Sequence, residues 1–174
     1  LADAVTQAYA DGLSAMGIDA AQVATVMATG AFRKLVDCAD DDVTEVSSAA
    51  RGAAFVCPVA RTVIEVGAEE VRVVKNDAAG HALDFSANDK CASGAGSFAE
   101  SMARALQLSL ADFGAAAMRS TTVIPMNARC TVFAESEVVS LIHAATPVED
   151  IARSVIDALA GRVAAMARRI SSDD

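Results

Sequence analysis

The 174 residues hold 14 Lys and Arg against 23 Asp and Glu, for a formal charge of −9, and no Trp. That balance excludes the clustered basic stripe of a nucleic-acid surface, and no apolar run reaches the roughly 18 residues of a membrane span. With 53% hydrophobic but only 4% aromatic residues, the core must be built from Ala, Val, Leu and Ile, in one unit or two small ones.

Val5, Ala8, Tyr9 and Leu13 recur at helical spacing and predict an amphipathic helix over residues 1 to about 16, stopped near Gly17. Val23 to Thr29 reads as a short buried strand ended by Gly30, and Asp40-Asp41-Asp42 as solvated loop. A helix is predicted from Val43 to Phe55, stopped before Pro58. Strand, loop and helix alternating in this way predict an α/β layer.

The character changes at Arg61, which places a subdomain boundary near residue 60. Thr62–Val66, Val71–Lys75 and His81–Ser86 read as strands separated by Gly67-Ala68-Glu69-Glu70 and by the turn Asn76 to Gly80. They pair most simply as an antiparallel meander. From Gly96 onward the pattern is helical. Helix 97–108 carries Phe98, Met102, Ala105 and Leu106 on one face; Leu110–Met118 and 131–144 follow. The last helix is predicted to open with Thr146 as N-cap and Pro147 at the first helical position. Its stripe Ile151, Val155, Leu159, Val163, Met166 and Ile170 reads as core packing. The chain opens and closes within helical patterns, so it is expected to be a segment of a longer polypeptide.

Cys38, Cys57, Cys91 and Cys130 lack the close spacings of a secreted disulfide scaffold. With no signal-peptide pattern, this predicts a reducing, cytoplasmic setting. Cys38 and Cys57 stand among Ala and Val and read as buried apolar residues. Cys91 lies beside Gly94 and Gly96 at the mouth of a predicted helix, and Cys130 where another begins. Free N–H groups in a helix's first turn carry partial positive charge and favour thiolate, the form that binds metal or attacks electrophiles. On residues alone, lone cysteines are more often structural. His81 is expected to face solvent and His143 to cap or pack a helix end, so no His is placed as base for a thiol nucleophile. Glu135 and Glu137 read as charges of a helix's first turns.

Two segments carry a family resemblance. Asn88-Asp89-Lys90-Cys91-Ala92-Ser93-Gly94-Ala95-Gly96-Ser97-Phe98 and Cys130-Thr131-Val132-Phe133-Ala134-Glu135-Ser136-Glu137-Val138 resemble the two cysteine motifs of the ATPases that activate 2-hydroxyacyl-CoA dehydratases and drive benzoyl-CoA reductases. Ala28-Thr29-Gly30, Glu45 and Ala50-Arg51-Gly52-Ala53 resemble that family's upstream segment. The resemblance implies an actin/Hsp70-like ATPase fold of two ribonuclease H-like lobes. Residues 1–60 would be the C-terminal part of the first lobe, and 61–174 the N-terminal and helical part of the second.

It also implies a function. ATP hydrolysis would drive single electrons from ferredoxin, through a [4Fe–4S] cluster shared by two subunits of a homo- or heterodimer, to an acyl-CoA reductase or dehydratase. Cys91 and Cys130 would be this subunit's ligands, two of the four thiolates such a cluster takes. Gly67, Gly94 and Gly96 would lie against ATP. Glu65 would hold Mg²⁺ through water, and Glu69 would orient or deprotonate the attacking water. The family's activators carry Asp-Ile-Gly-Gly-Gln-Asp where this chain has Glu65-Val66-Gly67-Ala68-Glu69-Glu70. That form looks nearer to one of the two unlike ATPase subunits of benzoyl-CoA reductase. The family's N-terminal phosphate loop and its Gly-Gly-rich adenosine loop are not within these residues, so the isolated segment is expected to be inactive. The rival readings are a sugar-kinase-like phosphotransferase on the same fold and a non-catalytic regulatory subunit, for which Ala68 and Glu70 are hints.

Overall fold

A computed structural model describes residues 2–88, 96–126 and 131–171. Helix α1 (Ala2–Met16) ends as its spacing predicts. Gly17 takes φ +66°, and its N–H and that of Ile18 donate back to Ser14 and Leu13 at 3.1 and 3.2 Å. This closes the helix with a left-handed residue, a conformation glycine adopts without a Cβ penalty.

The apolar run at Val23–Thr29 is not a full strand. Ala20–Gln22 form a 3₁₀ turn because Asp19 and Gln22 cap each other, and only Met27–Ala28 pair, as β1. Their parallel partner is β2, Asp41–Asp42. The acidic run expected as loop is therefore tied down. The Asp40 carboxylate accepts from Val26 N–H at 2.8 Å, and Asp42 pairs with Arg33 at 2.6 Å.

Helix α2 (Glu45–Val56) starts at Thr44, whose hydroxyl accepts from Ser47 N–H. It packs on the antiparallel meander β3 (Thr62–Val66), β4 (Val71–Asn76) and β5 (Ala82–Asn88), whose order β3-β4-β5 is the predicted one. Residues 71 to 74 of β4 are all buried although successive side chains point to opposite faces. Both faces of this strand are therefore covered, and α2 and the last helix are the helices that pack on it most extensively. The turn after β4 is pressed against α2. Gly80 has φ +80°, and a Cβ there would lie 3.0 Å from Ala54 Cβ and 3.2 Å from Arg51 Cα.

The remaining helices are α3 (Gly96–Ala105), α4 (Leu110–Arg119), α5 (Thr131–His143) and α6 (Val148–Ser171). They share a core of Phe98, Met102, Phe113, Ala134, Val138, Ile151 and Val155. Burying each large apolar side chain there stabilises by about 1.5–3 kcal/mol. Ser109 caps α4, accepting from Asp112 N–H at 3.1 Å. Helix α6 begins at Val148, with the Pro147 carbonyl accepting from Ile151 N–H. Ile151, Val155 and Ile170 of its stripe are buried, and Leu159, Val163 and Met166 are half-buried.

Cys38 and Cys57, read from composition as buried, are both exposed. Cys38 lies in a turn, and Cys57 caps α2 just after Phe55 and Val56, which are also exposed. Among the described residues no helix is long and apolar enough to cross a membrane.

Candidate functional site

The hairpin between β3 and β4 builds the site. Val66 and Val71 are the last cross-strand pair. Gly67 N–H donates to the Glu70 carbonyl at 2.9 Å, closing a four-residue turn. A Cβ on Gly67 would stand 3.2 Å from that carbonyl, so glycine suits the tight corner.

The turn is fastened to the start of α3. Gly96 N–H donates to the Gly67 carbonyl at 2.7 Å, and Ser97 N–H donates to the Ala68 carbonyl at 2.8 Å. A Cβ on Gly96 would meet the Gly67 oxygen at 3.2 Å. This corrects the expectation that the first N–H groups of α3 are free to face Cys91 or an anion: two of them are committed to carbonyls of the turn. The amides of Ala68 and Glu69 at the turn's tip, by contrast, donate to nothing among the described residues. Adjacent unpaired N–H groups on a turn form a concavity suited to phosphate oxygens.

The two acidic candidates have different surroundings. Glu69 is exposed and takes no hydrogen bond or ion pair among the described residues. Glu65 is engaged by Arg72, its cross-strand partner, at 3.2 Å. The Arg72 side chain is only 9% exposed and also binds Glu45 of α2 at 2.7 Å and Glu70 of the turn. Arg72 was not singled out from sequence, Glu45 only by resemblance, and Glu70 only as a hint of a non-catalytic site. The usable signal was the hairpin register: a turn over 67–70 forces 65 opposite 72.

His81 faces solvent as expected but has a partner, Asp77, whose carboxylate lies 2.9 Å from its Nδ1. The Asp77 carboxyl is held below its ordinary range first by the backbone N–H of His81 and then by that ring. His143 closes α5 and is exposed.

Cys91, Cys130 and Gly94 lie outside the described residues. The helices that follow the two motifs share one core, with Phe98, Ala99 and Met102 of α3 clustered with Ala134 and Val138 of α5. Among the described residues no group of three or more His, Cys, Asp and Glu is disposed to hold a metal ion. A cleft of about 500 Å³ beside Gly96 is lined by Ile64, Val66, Ala99, Leu159 and Val163. Those walls offer no polar side chain.

The profile described as the BadF/BadG/BcrA/BcrD ATPase family matches residues 1–174. The 2-hydroxyisocaproyl-CoA dehydratase activator of Clostridioides difficile is 36% identical over 154 residues, which cover 88% of this chain and 58% of that protein. The solved structure of component A of (R)-2-hydroxyglutaryl-CoA dehydratase from Acidaminococcus fermentans matches with a TM-score of 0.83 at 34% identity, covering 91% of this chain and 61% of that one. An activator of 2-hydroxyisocaproyl-CoA dehydratase from Clostridium difficile, solved with bound ADPNP, matches with a TM-score of 0.82 at 33% identity, covering 95% and 62%. The chain thus spans less than two thirds of the length of these relatives.

Proposed function

The chain belongs to the BadF/BadG/BcrA/BcrD ATPase family and has the actin-like ATPase fold of the dehydratase activators, and on that premise we propose that it is part of an ATP-hydrolysing electron-transfer subunit serving an acyl-CoA dehydratase or reductase. Residues 1–60 belong in this reading to the first lobe and 61–174 to the second. The observation that carries it is the pair of backbone hydrogen bonds from Gly96 and Ser97 to Gly67 and Ala68. They join the turn that meets phosphate to the helix that follows the Cys91 motif, so a change at the nucleotide reaches the cysteine side through backbone alone.

The residues fit the roles. The free N–H groups of Ala68 and Glu69 meet phosphate oxygens; Gly67 and Gly96 permit the close backbone approach on which the turn depends, with Gly94 between Gly96 and the cysteine. Glu65 keeps a carboxylate oxygen beyond its Arg72 contact for Mg²⁺-bound water. Glu69, exposed and without a partner among the described residues, orients the attacking water. Cys91 and Cys130 supply two thiolates of a [4Fe–4S] cluster completed by a second ATPase subunit. When bound, that cluster supplies a one-electron relay from ferredoxin to the partner enzyme.

The relatives named above activate dehydratases, which supports such a partner. The Glu69-Glu70 pair, where activators carry Gln-Asp, instead favours a benzoyl-CoA reductase type of partner. Anaerobic iron and sulfide analysis of the full-length protein with its partner, beside ATPase turnover, tests the proposal. The expected result is about four irons per dimer, lost in Cys91→Ala and in Cys130→Ala. Iron-free protein with intact ATPase activity in every sample would sink it.

A further inference from the structure

Arg72 itself has none of the roles just assigned. Its guanidinium sits between three elements: Glu45 at the start of α2, Glu65 near the end of β3 and Glu70 in the turn. Three carboxylates against one guanidinium leave a formal charge of −2 at a point where an anionic ligand is expected.

We propose that Arg72 is a positioning residue for ATP hydrolysis: it fixes the carboxylate of Glu65 and locks the phosphate turn to α2, so that the two lobes meet the nucleotide as one unit. The inference rests on the ATPase reading of this site. The surroundings argue for a built feature. Arg72 is one of few buried charged or polar residues among those described, and a buried charge left without partners is strongly destabilising. Its partners are 37%, 47% and 37% exposed, so solvent screens each pair and none contributes much alone. What the arrangement supplies is geometry. A planar fork with donors on separate nitrogens can hold three acceptors in fixed directions, as a lysine ammonium on a flexible stem cannot. Nη1 serves Glu65, while Nη2 serves Glu45 and Glu70. Arg72 contacts only Oε2 of Glu65, leaving the other oxygen for a metal-bound water.

The same guanidinium connects the site to the far end of the hairpin. Helix α2, held at its first turn by Arg72, is held again less than two turns on by Arg51, which donates to the Ala79 carbonyl at 2.6 Å. The helix is therefore pinned at its first turn and at its middle to the meander that carries the turn.

The experiment compares wild-type full-length protein with Arg72→Gln and Arg72→Lys by ATPase kinetics and by hydrogen exchange. The glutamine variant should lose about tenfold or more in kcat, the scale for a positioned electrostatic group, with KM for ATP changed far less because the phosphate donors are backbone amides. The lysine variant should recover part of kcat. Exchange should rise at 44–48, 66–71 and 96–100 and stay unchanged in the helical core at 113–117 and 151–156; a general loss of stability would raise both. Unchanged exchange at the turn in Arg72→Gln overturns the locking role, and loosened exchange with wild-type kcat overturns the positioning role. Wild-type protein without ATPase activity overturns the ATPase reading and with it the catalytic half of this proposal, while exchange still decides whether Arg72 locks the turn.

Discussion

Gly96 N–H donates to the Gly67 carbonyl at 2.7 Å, so the first residue of α3 and the corner of the β3–β4 turn form one backbone unit. The bond joins residues 29 positions apart in sequence (96 − 67). It leaves the turn's tip to face outward with two amides that find no acceptor among the described residues, and it allows no side chain between turn and helix. Any displacement of the turn by a ligand must either drag α3 along or break this bond and its neighbour at Ser97.

Gly96→Ala tests that unit. The added Cβ would lie 3.2 Å from the Gly67 oxygen and 3.5 Å from Ala68 Cα. Both neighbours are backbone atoms pinned by the two hydrogen bonds, so they cannot yield without lengthening them. Alanine's better helix propensity offers about 1 kcal/mol in return, and overpacking costs about 1–3 kcal/mol. We expect a net loss of about 1 kcal/mol in urea denaturation, with faster exchange at Ser97. A variant as stable as wild type, with unchanged exchange, would mean that the turn and helix are not tightly joined.

Gly80→Ala and Gly161→Ala should move in opposite directions. At Gly80 the left-handed φ strains an L side chain by roughly 1 kcal/mol, and the new Cβ would press on Ala54 and Arg51 within 3.0–3.2 Å. The expected loss is about 2 kcal/mol or more. Gly161 lies within α6 with nothing within 4 Å of its Cβ position, so alanine there should gain about 0.5–1 kcal/mol. Denaturation midpoints with unchanged m-values would separate the two. Loss at both positions would show that α6 does not run through 161 with open space beside it.

Much of this architecture is legible from local chemistry. The meander shows in β-branched runs broken by Gly67 and by Asn76 to Gly80, and α4 in the Ser109 cap, because these signals act within a few residues. What fails is what long-range contact decides. The run at Val23–Thr29 looks like a strand, yet the Asp19–Gln22 capping box takes its approach into a 3₁₀ turn, and pairing is left only to Met27–Ala28. The acidic run at 40–42 gives no sign of a parallel partner 14 residues back, since neither charge nor propensity predicts it. Composition misjudged Cys38 and Cys57, because an apolar neighbourhood in sequence is no guarantee of cover in space. At the site, Glu65 and Glu69 were legible as acids on a glycine turn, but the arginine that engages one of them emerges only from the register.

Asp77 gives the chain a measurable response to acid. Its carboxylate accepts from the N–H groups of Ala79 and His81 at 2.9 and 2.8 Å and faces the His81 ring. These contacts lower its folded-state pKa below the ordinary 3.8, the His81 backbone N–H contributing most. A group with a depressed folded pKa adds stability above its unfolded pKa, and that stability is lost as pH falls through the folded value. The stability difference between wild type and Asp77→Ala should therefore be full near about pH 6, begin to shrink near about pH 4 and fade below it. Taking the difference cancels the other carboxylates. A gap that stays constant through this range would show that the Asp77 charge does not hold the turn.

Ser154 tests how the segment leading toward Cys130 is held. It is 1% exposed. Its hydroxyl donates to the Asp150 carbonyl at 2.6 Å and accepts from Ile124 N–H at 2.8 Å. Ile124 belongs to an extended stretch between α4 and α5, and this hydroxyl is the acceptor that its N–H finds on α6. In Ser154→Ala that amide loses its partner, while the Asp150 carbonyl keeps the ordinary helical alternative. An unsatisfied buried donor costs about 1–3 kcal/mol, so a loss of about 1–2 kcal/mol is expected, together with faster exchange of the Ile124 amide than of the core of α6. Cysteine at 154 should restore little, because a thiol is a weak acceptor. Equal protection of Ile124 in wild type and Ser154→Ala would place the anchor elsewhere and make Ser120, whose hydroxyl donates to Asp150 at 2.6 Å, the next position to change.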